Sequence, residues 1–346
     1  MNERLLEYQG QVSREVYEIF SDENLRPLML NAALKEGALL YPLNIGKALR
    51  PTLSCLVCEC LGGEKRASLL CGAAIELYHN STLAHDDIID DDDLRRGKPS
   101  VHAYFAKKQG KQYGLSMGIL SGDMLQSWTA YILSRLPEFG VSEKVALLLI
   151  SELSGVSGPK ILAGETLDIE LPFIDIENVT TQMINEVMEN KTAELFRFCA
   201  FSGGVIAENG YTPRVKAAED FAKYSGMAFQ LKDDILGITG SEELLGKPIG
   251  SDIIEGKRTI ILSHAFAHAA ATEREFLKTR MGNKDIEDAD IEHVKDIFVS
   301  TGALMYAEDM ADNYLKSASE ALNVLPKNPQ QEILREMLEY MASRVK

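Results

Sequence analysis

Apolar residues recur along almost the whole chain at a spacing near 3.6, and no run of four to eight residues alternates like a half-buried strand, so the sequence predicts an all-α protein. Glycines and prolines mark the breaks: Gly62-Gly63 after a helix from about Gly46, then Pro99, Gly110, Pro137, Pro172, Gly210, Gly237 to Gly240, Gly282, Gly302 and Pro326. They imply roughly ten to a dozen helices. The helices near 64–93, 113–136 and 213–236 are long and mostly apolar, as expected of the middle of a bundle. Thr212-Pro213 offers an N-cap and a first-turn proline, and Thr272 with Glu275 a capping box. No linker-like shift, repeat or low-complexity segment interrupts residues 1–346, which predicts a single domain. Residues 238–257, ITGSEELLGKPIGSDIIEGK, form a long glycine-rich loop of the kind that serves as a lid.

The helical pattern leads into residues 84–100, AHDDIIDDDDLRRGKPS, where six aspartates fall between Asp86 and Asp93 and Arg95, Arg96 and Lys98 follow. On a helix Asp86 and Asp90 share a face and could hold a divalent ion between them. They stand at the carboxyl end of an apolar helix, where the macrodipole disfavours negative charge and a cation is the remedy. A second pair, Asp233-Asp234 in FQLKDDILG, ends another apolar helix. If the two helices face each other, two carboxylate clusters oppose across a cavity. Mg2+ takes one or two carboxylates from protein and fills its shell with water and phosphate oxygens, so short acidic clusters suggest a diphosphate held by several metal ions. A basic set accompanies them: Lys47 and Arg50 with Gly46 in GKALRP, Lys191 before Thr192, and Lys247 and Lys257 in the lid.

Charge narrows the partners. With 346 residues and a net charge of −16, the chain is a poor match for nucleic acid or an anionic membrane, which reward clustered Lys and Arg. Its amino terminus reads as neither a signal peptide nor a membrane span, and cytoplasmic residence without stable membrane insertion is expected. The five cysteines, Cys55, Cys58, Cys60, Cys71 and Cys199, suit a reducing compartment, and Cys55-x-x-Cys58-x-Cys60 reads as structural because no second pair accompanies it. His264 and His268, four apart but without the glutamate of a zinc-protease motif, read as packing or surface.

Taken in order, GKALRP, HDDIIDDDDLRRGKPS, the GD of ILSGDML, GETLD, KTAELF and FQLKDDILG…LGKPIGSDIIEGK carry a resemblance over residues 46–260. The chain resembles the trans-isoprenyl diphosphate synthase (polyprenyl synthetase) family, most of all a geranylgeranyl-type short-chain synthase. The resemblance implies a single large helical bundle with a deep central cavity, the isoprenoid synthase fold, working as a homodimer. It implies an allylic diphosphate (dimethylallyl, geranyl or farnesyl) that ionises, attack on its carbocation by the double bond of isopentenyl diphosphate, loss of a proton, and three Mg2+ per active site.

By position, the resemblance gives Asp86, Asp87 and Asp90 to Mg2+ with the allylic diphosphate, and Asp233 and Asp234 to Mg2+ on the opposite side. Arg95, Lys191 and Lys247 would contact the allylic diphosphate and Lys257 would close over it. Gly46, Lys47, Arg50, His79 and Arg96 would bind isopentenyl diphosphate. Thr192, Gln230 and the Lys191 backbone would sit near the developing cation, and the released diphosphate would take the proton. Two positions depart from the family pattern: Gly237 stands where the second motif has its third Asp, leaving that contact missing or supplied by water or Asp252, and Glu165 stands where GQxxD has Gln.

Chain length should be set upstream of Asp86. Ser81, about 7.5 Å deeper along the helix, and Thr82 are small, while Tyr78, roughly 12 Å deeper, could be the floor. An all-trans product of about twenty carbons or longer is expected. Two other functions fit parts of the pattern. A class I terpene cyclase would need no second diphosphate site such as Lys47, Arg50 and Arg96. A non-catalytic subunit of a hetero-oligomeric synthase would be expected to lose motif acids, which this chain keeps in its first motif.

Overall fold

Residues 3–240, 250–283 and 285–343 are described by the computed structural model of the chain. Contacts gather them into two units, the first drawn from Met1–Ser154, Phe198–Ala218 and Val324–Glu336, the second from Gly155–Arg197, Glu219–Asn323 and Met337–Lys346. In chain order the helices are α1 (Glu3–Ser21), α2 (Ala32–Leu40), α3 (Leu49–Cys60), α4 (Lys65–Ile89), α5 (Val101–Gln109), α6 (Lys111–Ser134), α7 (Glu143–Glu152), α8 (Gly158–Glu170) and α9 (Thr181–Val187). They continue as α10 (Glu194–Glu208), α11 (Pro213–Thr239), α12 (Ser251–Glu255), α13 (Ile260–His268), α14 (Ala271–Arg280), α15 (Asp288–Ser300), α16 (Ala303–Leu322) and α17 (Pro329–Ala342). Among the described residues one helical run, Glu143–Phe173, has the length and apolar composition of a membrane span; it includes Lys160, Glu165 and Asp168.

The first unit is built on α4 and α6, packed closely because their seam is made of small residues. A side chain at Gly118 would strike Ile88 and one at Gly122 would strike the His85 ring, while Thr129 Oγ1 donates to the Ala74 carbonyl at 3.2 Å. On the other side of α4, Gly72 rests on Pro51 of α3. Buried Trp128 of α6 donates its indole N–H to the Leu25 carbonyl at 2.7 Å and meets Phe20 of α1 edge-on, satisfying its one donor while burying a large ring. In the second unit Met188, Met227, Leu231, Ile235, Ile260 and Phe298 belong to one continuous buried cluster.

Of three local readings, one holds and two need adjustment. Thr212 does cap α11, accepting from the Val215 N–H at 3.3 Å with Pro213 in the first turn. The box at Thr272 does not form: α14 starts at Ala271, and Glu273 accepts from the Ala270 N–H at 2.9 Å. The third concerns the long acidic helix, which ends at Ile89 because Asp91 takes φ 55°. Beyond it two short antiparallel strands pair, β1 (Leu94–Arg95) with β2 (Lys98–Pro99). Their turn residues Arg96 and Gly97 both have positive φ (53° and 73°), the geometry that matches the twist of a two-residue hairpin. The hydrophobic pattern gives no sign of this hairpin.

Candidate active site

The carboxyl end of α4 sorts its acids by face. Asp86 is half-buried and Asp90 exposed, one turn apart, with the Asp90 N–H on the Asp86 carbonyl at 2.8 Å. Their side chains therefore share the face that also carries His79, Leu83 and Glu76. Asp87 behaves differently: it is fully buried, accepts from Arg95 Nε at 2.7 Å and from the Tyr41 hydroxyl, and so knits the end of α2 to α4 and the hairpin. Burial pushes its pKa up even though Arg95 and Tyr41 oppose the shift. The remaining acids are also engaged, Asp91 with Lys111 (3.2 Å), Asp92 with Arg95 (3.4 Å) and Asp93 with His102 (3.7 Å).

Arg95 and Arg96 are neighbours on the hairpin and go to different partners. Arg95 is held by Asp87 and Asp92, whereas Arg96 donates to the Asn44 carbonyl at 2.6 Å and lies 3.6 Å from Glu76. Gly46 lets the Arg96 guanidinium approach: a Cβ there would stand 2.8 Å from Nε. Arg50 Nη1 meets His79 Nε2 at 3.0 Å. Burial holds the His79 pKa well below its usual 6.5, and Arg50, Arg96 and Arg95 lower it further, so its ring is neutral. Burial raises the Glu76 pKa and Arg50 and Arg96 pull it back. Thus Gly46, Arg50, His79 and Arg96 are gathered in one place, with two guanidiniums beside one buried carboxylate and Lys47 next to Gly46 in the chain, an arrangement suited to an anion. Glu76 was not singled out in the sequence; its signal is an acid three residues before His79 in an otherwise apolar run. Tyr41 gives no such signal.

The second unit holds the other candidates. Residues Met188–Ala193 form a π-helical turn, a local irregularity often found at functional sites, which carries Lys191 and Thr192. Gly164 of α8 packs directly on it, since a Cβ there would strike the Lys191 peptide nitrogen. Lys191 Nζ lies 2.8 Å from Glu165 Oε2 and 2.7 Å from Asp168 Oδ2. Thr192 Oγ1 donates to Gln230 Oε1 at 2.7 Å, and Gln230 Nε2 donates to Asp234 Oδ1 at 2.8 Å, a relay from the π turn to the second acidic motif. Asp233 is half-buried beside it.

Burial and facing Asp252 push Asp234 up to about 8. Such a cluster prefers a cation. Asp252 Oδ2 lies 3.1 Å from the Cβ position of Gly237, so this carboxylate occupies the space that a third motif acid would enter. Lys257 is held by Glu255 at 3.1 Å and Asp252 at 3.7 Å. Lys247 and the rest of residues 241–249 of the lid lie outside the described residues. Among the described residues no three carboxylate, imidazole or thiol groups are gathered to hold a metal. Paired acids without His or Cys fit Mg2+, which takes few protein oxygens and keeps its water.

Two other motifs are accounted for by packing. All five cysteines are buried and unbonded, and burial pushes the Cys58 and Cys60 thiols up to about 11, far from reactive thiolates. His268 Nδ1 lies 2.8 Å from the His264 carbonyl, and the His264 ring stacks on both His268 and Tyr306.

Residues 33–298 match the family model described as polyprenyl synthetase. The chain belongs to the polyprenyl synthetase family. Its members are chain-elongating trans-prenyltransferases, and this chain is an enzyme of that class. It is 33% identical over 297 residues to a geranylgeranyl diphosphate synthase of Sulfolobus acidocaldarius, covering 86% of this chain and 85% of the relative. It is 32% identical over 290 residues to an octaprenyl diphosphate synthase of Escherichia coli, covering 84% and 83%. A geranylgeranyl pyrophosphate synthase structure from Corynebacterium glutamicum, complexed with isoprenyl diphosphate and magnesium, superposes with a TM-score of 0.86 at 26% identity over 98% of this chain and 99% of that one. The polyprenyl synthetase assignment brings the isoprenoid synthase fold with it.

Proposed function

We propose that the chain condenses isopentenyl diphosphate with an allylic diphosphate to give an all-trans prenyl diphosphate of about twenty carbons or longer. The observation that supports this over a cyclase is the second anion site, Lys47, Arg50, His79 and Arg96, which is made by residues other than the Asp86–Asp90 pair. A cyclase has one diphosphate to hold; a synthase has two.

Asp86 and Asp90, with Asp233 and Asp234, would hold Mg2+, three ions in all, with Asp252 standing in for the third acid of the second motif; Asp87, expected as a further ligand, has both oxygens taken by Arg95 and Tyr41 and would brace the site instead. When bound, the metal supplies Lewis-acid stabilisation of the leaving diphosphate. Arg95, Lys191, Lys247 and Lys257 add positive charge on the allylic diphosphate, and this charge matters most as the C–O bond breaks and its electron pair leaves with the oxygen. Thr192, its hydrogen committed to Gln230, presents lone pairs, as does the Lys191 carbonyl, to the allylic cation. The isopentenyl double bond then attacks the cationic carbon, and the released diphosphate takes the proton. Neutral His79 and the guanidiniums of Arg50 and Arg96 orient the second diphosphate.

Product length is proposed to depend on α4, where Tyr78 and Ser81 are buried and Thr82 is half-buried. Exposed Ile119 and Leu120 on α6 support a homodimer, and five reduced, buried thiols support the cytoplasm. The deciding assay is the purified chain with Mg2+ and labelled isopentenyl diphosphate, with and without an allylic primer. Primer-dependent elongated products are expected. Failure of the lone chain to incorporate label would turn the reading to a cyclase or a subunit of a hetero-oligomer.

A further inference from the structure

Helix α1 lies outside the stretch that matches the family, which begins at residue 33. Its buried stripe is Leu5, Gln9, Val12, Val16 and Phe20, helical spacing with one polar member. Gln9 is 9% exposed, and its Nε2 donates to the main-chain carbonyl of Lys47. The helix is held from several sides: the Leu5 N–H and Arg4 bond Glu336, Tyr8 donates to Glu59, and Glu15 pairs with Lys65 at 2.7 Å.

The carbonyl that Gln9 holds precedes an unusual residue. Ala48 has φ 47° and ψ 36°, the left-handed region that disfavours a side chain, and it forms the N-cap of α3 without any side-chain cap bond. Lys47 and Arg50 flank it. The segment from Asn44 to Arg50 is thus held at Asn44 and Gly46 by Arg96, at Arg50 by His79, and at Lys47 by Gln9.

We infer that Gln9 is a positioning residue for the isopentenyl diphosphate site: its amide fixes the Lys47–Ala48 peptide and maintains the left-handed turn that sets Lys47 and Arg50 in register with His79 and Arg96. The inference rests on the proposed role of that site. Gln9 touches no substrate; it acts through the loop.

The test uses the full chain with Mg2+ and compares Gln9→Met, nearly the same volume without the donor, with Lys47→Ala, Ala48→Gly and the Gln9→Met/Ala48→Gly pair. Loss of one buried hydrogen bond should raise KM for isopentenyl diphosphate about three- to tenfold in Gln9→Met while KM for the allylic substrate and kcat stay within about twofold. Ala48→Gly, which removes the steric penalty of the left-handed turn, should restore much of that affinity in the double variant. If Lys47→Ala raises KM for isopentenyl diphosphate and Gln9→Met does not, or if Gln9→Met raises both substrates' KM alike, or if Ala48→Gly gives no recovery, the positioning role is overturned and the site stands. If Lys47→Ala leaves KM for isopentenyl diphosphate unchanged, the site itself is wrong and Gln9 has nothing to position.

Discussion

Replacing Glu165 with Gln tests how Lys191 is kept ready. Lys191 Nζ sits between Glu165 at 2.8 Å and Asp168 at 2.7 Å, each of the three side chains being about a quarter exposed. A diphosphate that recruits this lysine must compete with two carboxylates, and in the usual family pattern, with Gln in place of Glu165, it would compete with one. At 2.8 Å and an effective dielectric near 20, the raw attraction is about 6 kcal/mol. Most of that is offset by solvation lost, by the hydrogen bond a Gln retains, and by Asp168, leaving a net effect of about 1 kcal/mol. The expected result is an allylic KM lowered about fivefold in Glu165→Gln, with kcat and the isopentenyl KM little changed, since the contact is lost equally in ground and transition states. Steady-state kinetics with the allylic substrate varied at saturating isopentenyl diphosphate reads it directly. An allylic KM that rises would refute the reasoning and make Glu165 a holder of Lys191, not its competitor.

Other outcomes follow from the same geometry. Gly237→Asp places a second carboxylate against Asp252 and should lower activity about tenfold, with recovery in Gly237→Asp/Asp252→Asn; an active single variant shows that the two acids do not share a place. Because the His79 pKa is depressed below 6.5, the folded state resists the proton that the unfolded chain accepts, so stability present above pH 6.5 is lost as pH falls below it. His79→Asn should flatten that loss, as thermal unfolding at pH 7.5 and 5.5 will show. Ser81→Phe should shorten the product and, because Ser81 is fully buried, also lower Tm, whereas Tyr78→Ala should lengthen the product; chromatography unchanged in both removes α4 as the ruler.

Helices were readable because burial on one face imposes a period that survives in any long segment. The hairpin at 94–99 was not, since two-residue strands are too short to alternate and its turn uses Arg-Gly instead of the more telling Asn-Gly. The six aspartates illustrate a different limit. Their density announces a cation site, but the division of labour depends on partners from elsewhere in the chain: Tyr41 and Arg95 on Asp87, Lys111 on Asp91, His102 on Asp93. The anion site was legible residue by residue through its motifs, while Glu76, which balances its charge, had no motif to announce it. Likewise Gly237 reads as a missing acid until Asp252 is seen beside it.

The hairpin has one more implication, concerning spacing. Arg95 ends a strand and Arg96 opens the left-handed turn, so two adjacent arginines leave the backbone in different directions, Arg95 to Asp87 and Asp92 and Arg96 to Glu76 and Asn44. Which arginine meets which partner is therefore a matter of register, counted from the end of α4. A residue inserted or deleted between Asp90 and Arg95 would move both arginines along the hairpin, and each should lose the partner that the present spacing gives it. Spacing in this segment is a coded quantity, and it should tolerate substitution better than any change of length.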